Sequence, residues 1–250
     1  AFAVIKHGNP CGLTHAPDAL TALTRAWQGD PVSAFGGIIA LSAPVDAAIA
    51  GFFHDKFVEI IMAPSFDPAA RELLAAKKNL RLLELPVRPR VIGETTFRSF
   101  MGGMLVQSED ESLQAELKEV TKTPWHREDD ALAAFGVLAA KHLKSNAIAL
   151  VRREGDVLEL AGAGMGQPNR LDSLLKLALP RLLEKDLNPA DVVLVSDAFF
   201  PFGDTVEVAA RAGIKRIVQP GGSLRDAEVI AAADQHGVAM VFTHERHFRH

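Results

Sequence analysis

Short apolar runs alternate with helix-type segments along this chain, and that alternation most constrains the fold. Runs of strand length occupy residues 1–5, 38–41, 58–62, 80–85, 147–151, 157–160, 192–195 and 214–218. Helix-type patterns cover residues 18–27, 44–53, 69–77, 130–143, 206–212 and 228–236. In the first of these, Leu20, Leu23 and Trp27 recur at intervals of three and four, which is typical of an amphipathic helix. Strands and helices alternating in this way predict an α/β protein with a mixed sheet.

Two strand-loop-helix-strand units, at residues 58–85 and 192–218, have similar patterns. Each carries Phe and Pro in its first loop: Phe66 and Pro68 in one, Phe199 and Pro201 in the other. This parallel suggests an internal duplication, although α/β units of this size resemble one another by default. Residues 86–90 are the predicted linker, and residues 108–130 a polar, partly helical connection.

Composition restricts the class of protein. With a formal net charge of −4, the chain has no basic excess of the kind that a duplex nucleic-acid reader needs. Its single cysteine, Cys11, cannot form an internal disulfide, and there is no Cys/His spacing of the structural-zinc type, which favours a cytoplasmic setting. No apolar run approaches the roughly 20 residues of a spanning helix, and no secretory signal pattern is present.

The sequence KHGNPCG at residues 6–12 concentrates reactive groups where an apolar run meets a predicted turn at residues 8–12. His7 can accept a proton near neutral pH, and Lys6 supplies a positive charge that would stabilise an oxyanion. Neighbouring residues on a strand point to opposite faces, so both side chains reach one substrate only if the turn begins here. The alternative is a solvated lysine and a satisfied histidine beside a tight turn.

Two later loops could also bind ligands. The glycine-rich stretch at residues 162–170 follows a strand, precedes a helix and ends at Arg170, whose guanidinium could bind a carboxylate or phosphate. A tight strand-to-helix turn explains the same glycines equally well. In SDAFFPFGD at residues 196–204, three Phe side chains surround Pro201. Asp204 could bind a flat heterocycle, cap the helix that starts at Thr205, or do both.

Taken together, these motifs resemble the transformylase domain of the bifunctional purine-biosynthesis enzyme that is joined in most organisms to inosine monophosphate cyclohydrolase. The matching stretches, in chain order, are residues 6–12, 30–37, 98–103, 144–148, 162–170, 196–204, 220–226 and 246–250. No single stretch is specific, but their joint occurrence in order is.

The resemblance implies formylation of the 5-amino group of aminoimidazole carboxamide ribonucleotide (AICAR) by 10-formyltetrahydrofolate, without a metal. It implies that His7 is the proton acceptor, that Lys6 stabilises the oxyanion or protonates the leaving nitrogen, and that Asn146 holds the carboxamide and formyl region. The remaining implied site residues divide into two sets. Those contacting the nucleotide are Arg170, Phe199 and Arg246, and those lining the nucleotide and folate pockets are Phe35, Gly36, Pro201, Asp204 and Phe248.

The resemblance also implies an architecture: a cytidine-deaminase-like mixed sheet, duplicated within the chain and lacking the zinc ligands of the deaminases. We expect a first subdomain at residues 1–107, and a helical connection with a second subdomain at residues 108–250. The family builds its active site at a dimer interface, so a homodimer acting on small-molecule nucleotide and folate is implied, with no nucleic-acid or membrane partner.

The chain departs from the family pattern at its start. Family members carry a nucleotide-binding segment of the type Arg-Tyr-Gly-Glu-Asn-Pro-His-Gln upstream of the first strand, and neither that segment nor the cyclohydrolase domain is present here. We therefore expect a fragment truncated at the N-terminal side, or a reduced homologue. The competing function is a non-catalytic homologue that binds a purine nucleotide or folate. A zinc deaminase relative is a third possibility, which the absent ligands disfavour.

Overall fold

A computed structural model describes residues 1–86, 93–112 and 116–249 of the chain. Its strands are β1 (Phe2–Lys6), β2 (Asn9–His15), β3 (Gly37–Leu41), β4 (Val58–Ala63), β5 (Arg81–Glu84), β6 (Thr95–Phe100), β7 (Gly103–Ser108), β8 (Lys118–Glu119), β9 (Ile148–Glu154), β10 (Val157–Gly164), β11 (Val192–Ser196), β12 (Arg216–Gln219) and β13 (Ala239–Phe242). Its α-helices are α1 (Ala19–Gly29), α2 (Pro31–Ala34), α3 (Ala47–Phe52), α4 (Pro68–Ala75), α5 (Asp130–His142), α6 (Arg170–Asp172), α7 (Leu179–Leu183), α8 (Asp204–Arg211) and α9 (Asp226–Gln235). A π-helix, Ser173–Ala178, joins α6 to α7, and 3-10 turns cover Arg127–Asp129 and Pro189–Asp191.

Eleven of these strands form one mixed sheet in the order β5-β4-β3-β1-β2-β10-β9-β11-β12-β13-β8, and β6 and β7 form a separate antiparallel hairpin. The predicted α/β class with a mixed sheet is therefore confirmed. Of the predicted linker at 86–90, only Pro86 lies within the described residues. The described part of the predicted connection at 108–130 contains the short β8 and one 3-10 turn. Within the described ranges, no helix is long and apolar enough to cross a membrane.

Two groups of five strands have the same order and the same relative directions. β2-β1-β3-β4-β5 begins with two antiparallel pairings and continues with two parallel ones, and β10-β9-β11-β12-β13 does the same. By position in the sheet, β11-α8-β12 corresponds to β3-α3-β4. The units at residues 58–85 and 192–218, whose patterns are similar, are therefore offset by one strand in the sheet order.

The sequence predicts a turn at residues 8–12, but only Gly8 of these residues lies in a turn, and the prediction is wrong for the other four. The chain turns at His7 and Gly8 alone and then continues as β2, which pairs with β1. The register shifts between Val4, opposite Gly12, and Ile5, opposite Pro10, so one residue of β2 bulges there. Bulges are where a strand tolerates proline, which is why Pro10 does not end the strand.

Helices cover the two groups of five strands differently. We call β1 to β5 with their helices the first half and β9 to β13 with theirs the second half. In the first half, α1, α3 and α4 bury one face, which includes Phe2, Val4, Ile39 and Ile61. The opposite face of the same strands carries side chains that are only half-buried: Ala3, Ile5, Ile38, Ala40, Ile60 and Met62. In the second half, α5 packs on one face and the π-helix, α8 and α9 on the other. An apolar sheet face is therefore left partly open in the first half only.

The two halves meet at β2 and β10, which pair only at His15 with Leu158 and at Thr14 with Glu159. Beside this seam, helix α1 lies directly on β2. A Cβ added at Gly12 would lie 1.8 Å from the carbonyl oxygen of Ala26 in α1. Since packed atoms cannot approach so closely, only glycine allows this contact between helix and strand.

Replacing Gly12 by Ala is therefore expected to destabilise the fold by about 3 kcal/mol or more, because α1 must move away from the sheet. The free energy of unfolding in urea measures this. The matched control is Gly51→Ala in α3, where a Cβ meets no atom within 4 Å; a helical glycine replaced by alanine gains up to about 1 kcal/mol. Equal stability of the Gly12→Ala variant and the native chain would contradict the proposed packing constraint.

Candidate functional site

Lys6 and His7 stand at the turn between β1 and β2. His7 and Gly8 have φ angles of 50° and 76°, and positive φ at both central positions is the geometry of a type I′ hairpin turn. A non-glycine residue adopts such an angle at a cost, so the fold holds His7 against its own backbone preference. Because the strand stops at Lys6, the side chains of both residues line one cavity.

This first cavity has a volume of about 290 Å³ and lies between β2, the end of α1, β10 and the π-helix. Its lining residues are Lys6, His7, Asn9, Cys11, Gly29, Asp30, Ser33, Leu160, Gly162, Ala163, Met165, Leu177 and Arg181. Burial, reinforced by the charge of Asp30, raises the pKa of the Cys11 thiol to about 11. Cys11 therefore stays a neutral thiol at physiological pH and is a poor nucleophile.

The Lys6 ammonium is bound to the segment that contains two other predicted site residues. Its Nζ donates to the carbonyl oxygens of Phe35, at 2.7 Å, and Gly36, at 3.1 Å. Gly36 has a φ of 65°, and a Cβ there would lie 3.2 Å from Nζ, so glycine leaves room for the ammonium. The Phe35 ring is 64% exposed and packs against Phe57 at a centroid distance of 5.2 Å. Lys6, His7, Phe35 and Gly36 thus form one cluster.

The loop at residues 144–146 joins this cluster to the second half of the chain. The backbone N–H of Lys144 donates to Asn9 Oδ1 at 2.9 Å, next to the His7 turn. Asn146 Nδ2 donates to the carbonyl oxygens of Gln167, at 2.9 Å, and Pro168, at 3.0 Å. The amide nitrogen of Asn146 is therefore occupied in holding the glycine-rich loop, which leaves Oδ1 as its group for a ligand.

Asp197, which follows β11, is a fully buried carboxylate that the sequence analysis did not single out. Arg170 donates to its Oδ1 from Nε, at 3.2 Å, and from Nη2, at 3.0 Å, and Ser145 Oγ donates to Oδ2. Its carbonyl oxygen accepts the backbone N–H of His247 at 2.9 Å. The side chain of Asp197 thus ties the 144–146 loop and the start of α6 to the end of β11, and its backbone carbonyl ties the C-terminal segment there.

The glycine-rich stretch is divided between strand and loop: residues 162–164 end β10, and residues 165–169 form the loop that precedes α6. Gly162 and Gly164 lie within β10, where a Cβ would come within 2.3 Å of the Ala178 carbonyl oxygen and 1.9 Å of the Ser173 carbonyl oxygen. These glycines let the π-helix pack on β10, which favours the structural interpretation. Asn169 caps α6 by accepting from the Asp172 N–H at 2.7 Å.

The aromatic loop after β11 is divided between core and surface. Phe200 is buried, and its N–H donates to the Gln219 side chain at 2.9 Å. Phe199 is half-buried, whereas Pro201 and Asp204 are exposed. Helix α8 begins at Asp204 with Gly203 as its N-cap, and no side chain caps it, so the predicted capping role of Asp204 is wrong. Among the described residues, its carboxylate accepts hydrogen bonds from the adjacent Thr205 alone.

The C-terminal segment carries Arg246 and Phe248, both exposed, with the Arg246 guanidinium 5.7 Å from the centre of the Phe248 ring. His250 lies outside the described residues. The buried His247, between Arg246 and Phe248 in the sequence, pairs through Nδ1 with Asp110 Oδ2 at 2.7 Å. Burial opposes ionisation of Asp110, but the hydrogen bond from His247 and the charges of His247 and Lys141 lower its pKa overall.

Phe248 lies on a second, larger cavity of about 520 Å³, formed with the β6–β7 hairpin and the end of α5. Of the predicted site residues, only Lys6 and His7 line the first cavity, and only Phe248 lines this second one. Phe35 and Gly36 join the first cluster through Lys6. Arg170 binds Asp197 directly, and Asn146 follows Ser145, which binds the same carboxylate. Pro201, Asp204 and Arg246 lie on the surface.

Metal ligation has little support in the described part of the chain. Across residues 1–86, 93–112 and 116–249, no group of three or more His, Cys, Asp or Glu side chains is placed to hold a metal ion. That the chemistry needs no metal stays a prediction.

Removing the buried carboxylate should unfold the site. Asp197→Ala leaves the Arg170 guanidinium, whose side chain is 11% exposed, without its partner, and breaking a buried pair on one side costs about 3–5 kcal/mol. Urea unfolding measures the loss. The control is Asp156→Ala at the exposed β9–β10 turn, which should change the stability by less than about 0.5 kcal/mol. Similar losses in both variants would contradict the role given to Asp197.

Comparison with known proteins agrees with this constellation of motifs. The family model described as AICARFT/IMPCHase bienzyme matches residues 1–181. Three relatives called bifunctional purine biosynthesis protein PurH, from Acidithiobacillus ferrooxidans, Halalkalibacterium halodurans and Parasynechococcus marenigrum, are 45%, 48% and 46% identical to the chain. Each alignment covers 100% of this chain and 48% of the relative, so the chain spans about half the length of these proteins. Since the family model covers well over half of its residues, the chain belongs to the AICARFT/IMPCHase bienzyme family.

Proposed function

We propose that the chain transfers the formyl group of 10-formyltetrahydrofolate to the 5-amino group of AICAR, a step of purine biosynthesis. The observation that carries the proposal is the pair Lys6 and His7 in the wall of one cavity, at a turn that directs both side chains to it. Membership of the AICARFT/IMPCHase family supports the same activity. The relatives are about twice as long as this chain, so the proposal covers formyl transfer and not every activity of those proteins.

In the proposed reaction, the amino nitrogen attacks the formyl carbon while His7 accepts a proton from that nitrogen. A carbon–nitrogen bond forms, and the Lys6 ammonium donates a hydrogen bond to the developing oxyanion. The tetrahedral intermediate then collapses: the bond between the formyl carbon and N10 of the folate breaks, and a proton passes to N10. The products are the formamido nucleotide and tetrahydrofolate. Acyl transfer of this kind needs a base, an oxyanion partner and close placement.

The binding roles follow the same proposal. Asn146 holds the carboxamide and formyl region, and Arg170, Phe199 and Arg246 contact the nucleotide. Arg170 is held through Nε and Nη2 by Asp197 and Ser196, so its Nη1 is the group that would meet the ligand. Phe35, Gly36, Pro201, Asp204 and Phe248 line the nucleotide and folate pockets. The exposure of Phe35 and Phe248, 64% and 48%, supports this because neither ring is committed to the core.

We infer that the two groups of five strands are copies of one cytidine-deaminase-like unit. Their identical order and directions support this, as does the equivalent placement of one helical segment after β2 and after β10. The proposed subdomains are residues 1–107 and 108–250, a boundary at the last residue of β7. We further propose a cytoplasmic location, in keeping with the single reduced Cys11.

We infer that the chain works as a homodimer with the active site at the interface. All twelve residues of the β6–β7 hairpin, which we call the arm, are exposed. Five of them are large and apolar: Phe97, Phe100, Met104, Leu105 and Val106. The half-buried sheet face of the first half adds further apolar surface. Exposed apolar surface of this extent marks an interaction site. A second chain seated there would cover it.

Lys6→Ala and His7→Ala are each expected to reduce formyl transfer from 10-formyltetrahydrofolate to AICAR by about a thousandfold, since base and oxyanion stabilisation each contribute about 10²–10⁴. The appearance of tetrahydrofolate, followed by its absorbance, measures turnover. The matched controls are Lys78→Ala and His54→Ala, both at exposed positions of the first half, which should leave turnover unchanged.

Near-normal turnover in the Lys6 and His7 variants would refute the roles assigned to them. Calorimetry with AICAR, a folate analogue and both together separates the alternative function. Saturable binding without any turnover in the unaltered chain would identify a non-catalytic nucleotide- or folate-binding homologue.

The dimer is tested by removing apolar side chains from the arm. Phe97 and Val106 are cross-strand partners in the hairpin, and the double variant Phe97→Ser with Val106→Ser should weaken dimerisation at least about tenfold, because it removes apolar area from the interface. Sedimentation equilibrium measures the dissociation constant. Leu73→Ser, at a 51% exposed position of α4, is the control for loss of an exposed apolar side chain elsewhere. A monomeric unaltered chain at all concentrations would contradict the homodimer.

A further inference from the structure

A third cavity, of about 330 Å³, lies on the seam between the two halves and is used by no step of the proposed reaction. It is enclosed by α1, β9, β10 and the segment that follows α7. Three cationic side chains line it, Arg25, Arg152 and Lys185, but only one carboxylate, Glu159. It shares Gly29 and Leu160 with the wall of the first cavity and none of that cavity's charged residues.

The two arginines are balanced by carboxylates. Arg152 donates to Glu159 Oε1 from Nε at 2.8 Å and from Nη2 at 2.6 Å, and to Glu154 at 2.6 Å. Arg25 lies 2.8 Å from Glu154 and 3.8 Å from Glu159. Glu159 is buried, whereas the Glu154 side chain is 52% exposed at the rim. Both available carboxylates are therefore engaged by Arg25 and Arg152.

Lys185 has no such partner. Its Nζ donates to the carbonyl oxygen of Gly29 at 2.9 Å, and within the described residues no carboxylate reaches ion-pair distance of it. The nearby Asp30 is engaged by Ser33 and Arg181. An ammonium has three donors, so two remain for other groups. Burial lowers the pKa of Lys185, with the charges of Arg152 and Arg181 adding to that effect and those of Glu159 and Asp30 opposing it.

The Lys185 side chain is half-buried, and no carboxylate of the described residues lies within ion-pair distance of its Nζ. A bound anion would therefore reduce the cost of removing this cation from water. Apart from the charged residues, the lining contains the apolar Leu160, Leu187 and Pro31, and the amide of Gln28. A phosphate group has several oxygens that accept from an ammonium, a guanidinium and an amide approaching from different directions. The volume exceeds that of a bare anion, which leaves space for an organic portion against the leucines.

We propose that this seam cavity binds the phosphate group of a small phosphorylated compound, through Lys185 and Arg25. The site is separate from the Lys6–His7 cavity, and it does not depend on the formyl-transfer proposal. Because its walls come from both halves of the chain, its occupant would link α1 to the segment after α7.

The test is a calorimetric titration of the chain with inorganic phosphate. We expect saturable binding that the Lys185→Met variant weakens at least about tenfold, the usual effect of losing one charge-assisted hydrogen bond. Methionine keeps the length and apolar stem of the side chain, so the variant should fold. The matched control is Lys176→Met, whose side chain is 66% exposed and pairs with Asp172; its affinity for phosphate should equal that of the unaltered chain.

Lys6→Met distinguishes this cavity from the first one and should leave phosphate binding unchanged. Binding that Lys6→Met abolishes and Lys185→Met preserves would overturn the proposal, as would the absence of saturable binding to the unaltered chain. Thermal unfolding gives a second reading: phosphate should raise the Tm of the unaltered chain and of Lys176→Met, but not that of Lys185→Met. An equal rise in all three would also overturn it.

Discussion

The arrangement of the site depends on one buried carboxylate, that of Asp197. A carboxylate away from water is costly unless hydrogen bonds and an opposite charge compensate it. Here Arg170 and Ser145 supply both, and each belongs to a different loop. The cost of leaving Asp197 unsatisfied therefore acts as a constraint on those loops: the 144–146 loop, the start of α6 and the end of β11 are stable only together. Asn146 and Arg170 are positioned by this requirement.

Glycine supplies the second constraint, at the places where helices touch the sheet. Gly12 admits the carbonyl of Ala26, and Gly164 admits that of Ser173, one contact in each half of the chain. These close approaches bring α1 and the π-helix down onto β2 and β10, on either side of the seam. The cavity of Lys6 and His7 is lined by residues of all four elements, so its shape follows from the two contacts.

Several features could be predicted from the sequence because they depend on local patterns. The apolar periodicities placed β1, β3, β4 and α5 close to their observed positions. Residue chemistry marked Lys6 and His7 as candidates but left a solvated lysine and a satisfied histidine open, and the other motifs in chain order favoured the catalytic interpretation. β2 was missed because Pro10 and Gly12 normally mark turns, and the bulge that accommodates Pro10 is a property of pairing with β1. Asp197 was missed because its partners Ser145 and Arg170 lie 52 and 27 residues away, a distance at which no spacing rule operates.

The distribution of site residues bears on how a single chain could act. Lys6 and His7 line one cavity, whereas Phe248 lines another beside the β6–β7 arm. A nucleotide and a folate must meet at one point for formyl transfer. Residues that line different cavities of one chain could therefore act at one site only if a second chain supplied some of them. The apolar arm and the half-buried sheet face are surfaces that one chain leaves exposed. Burying them between two chains removes apolar area from water, and the same contact would enclose the reacting groups.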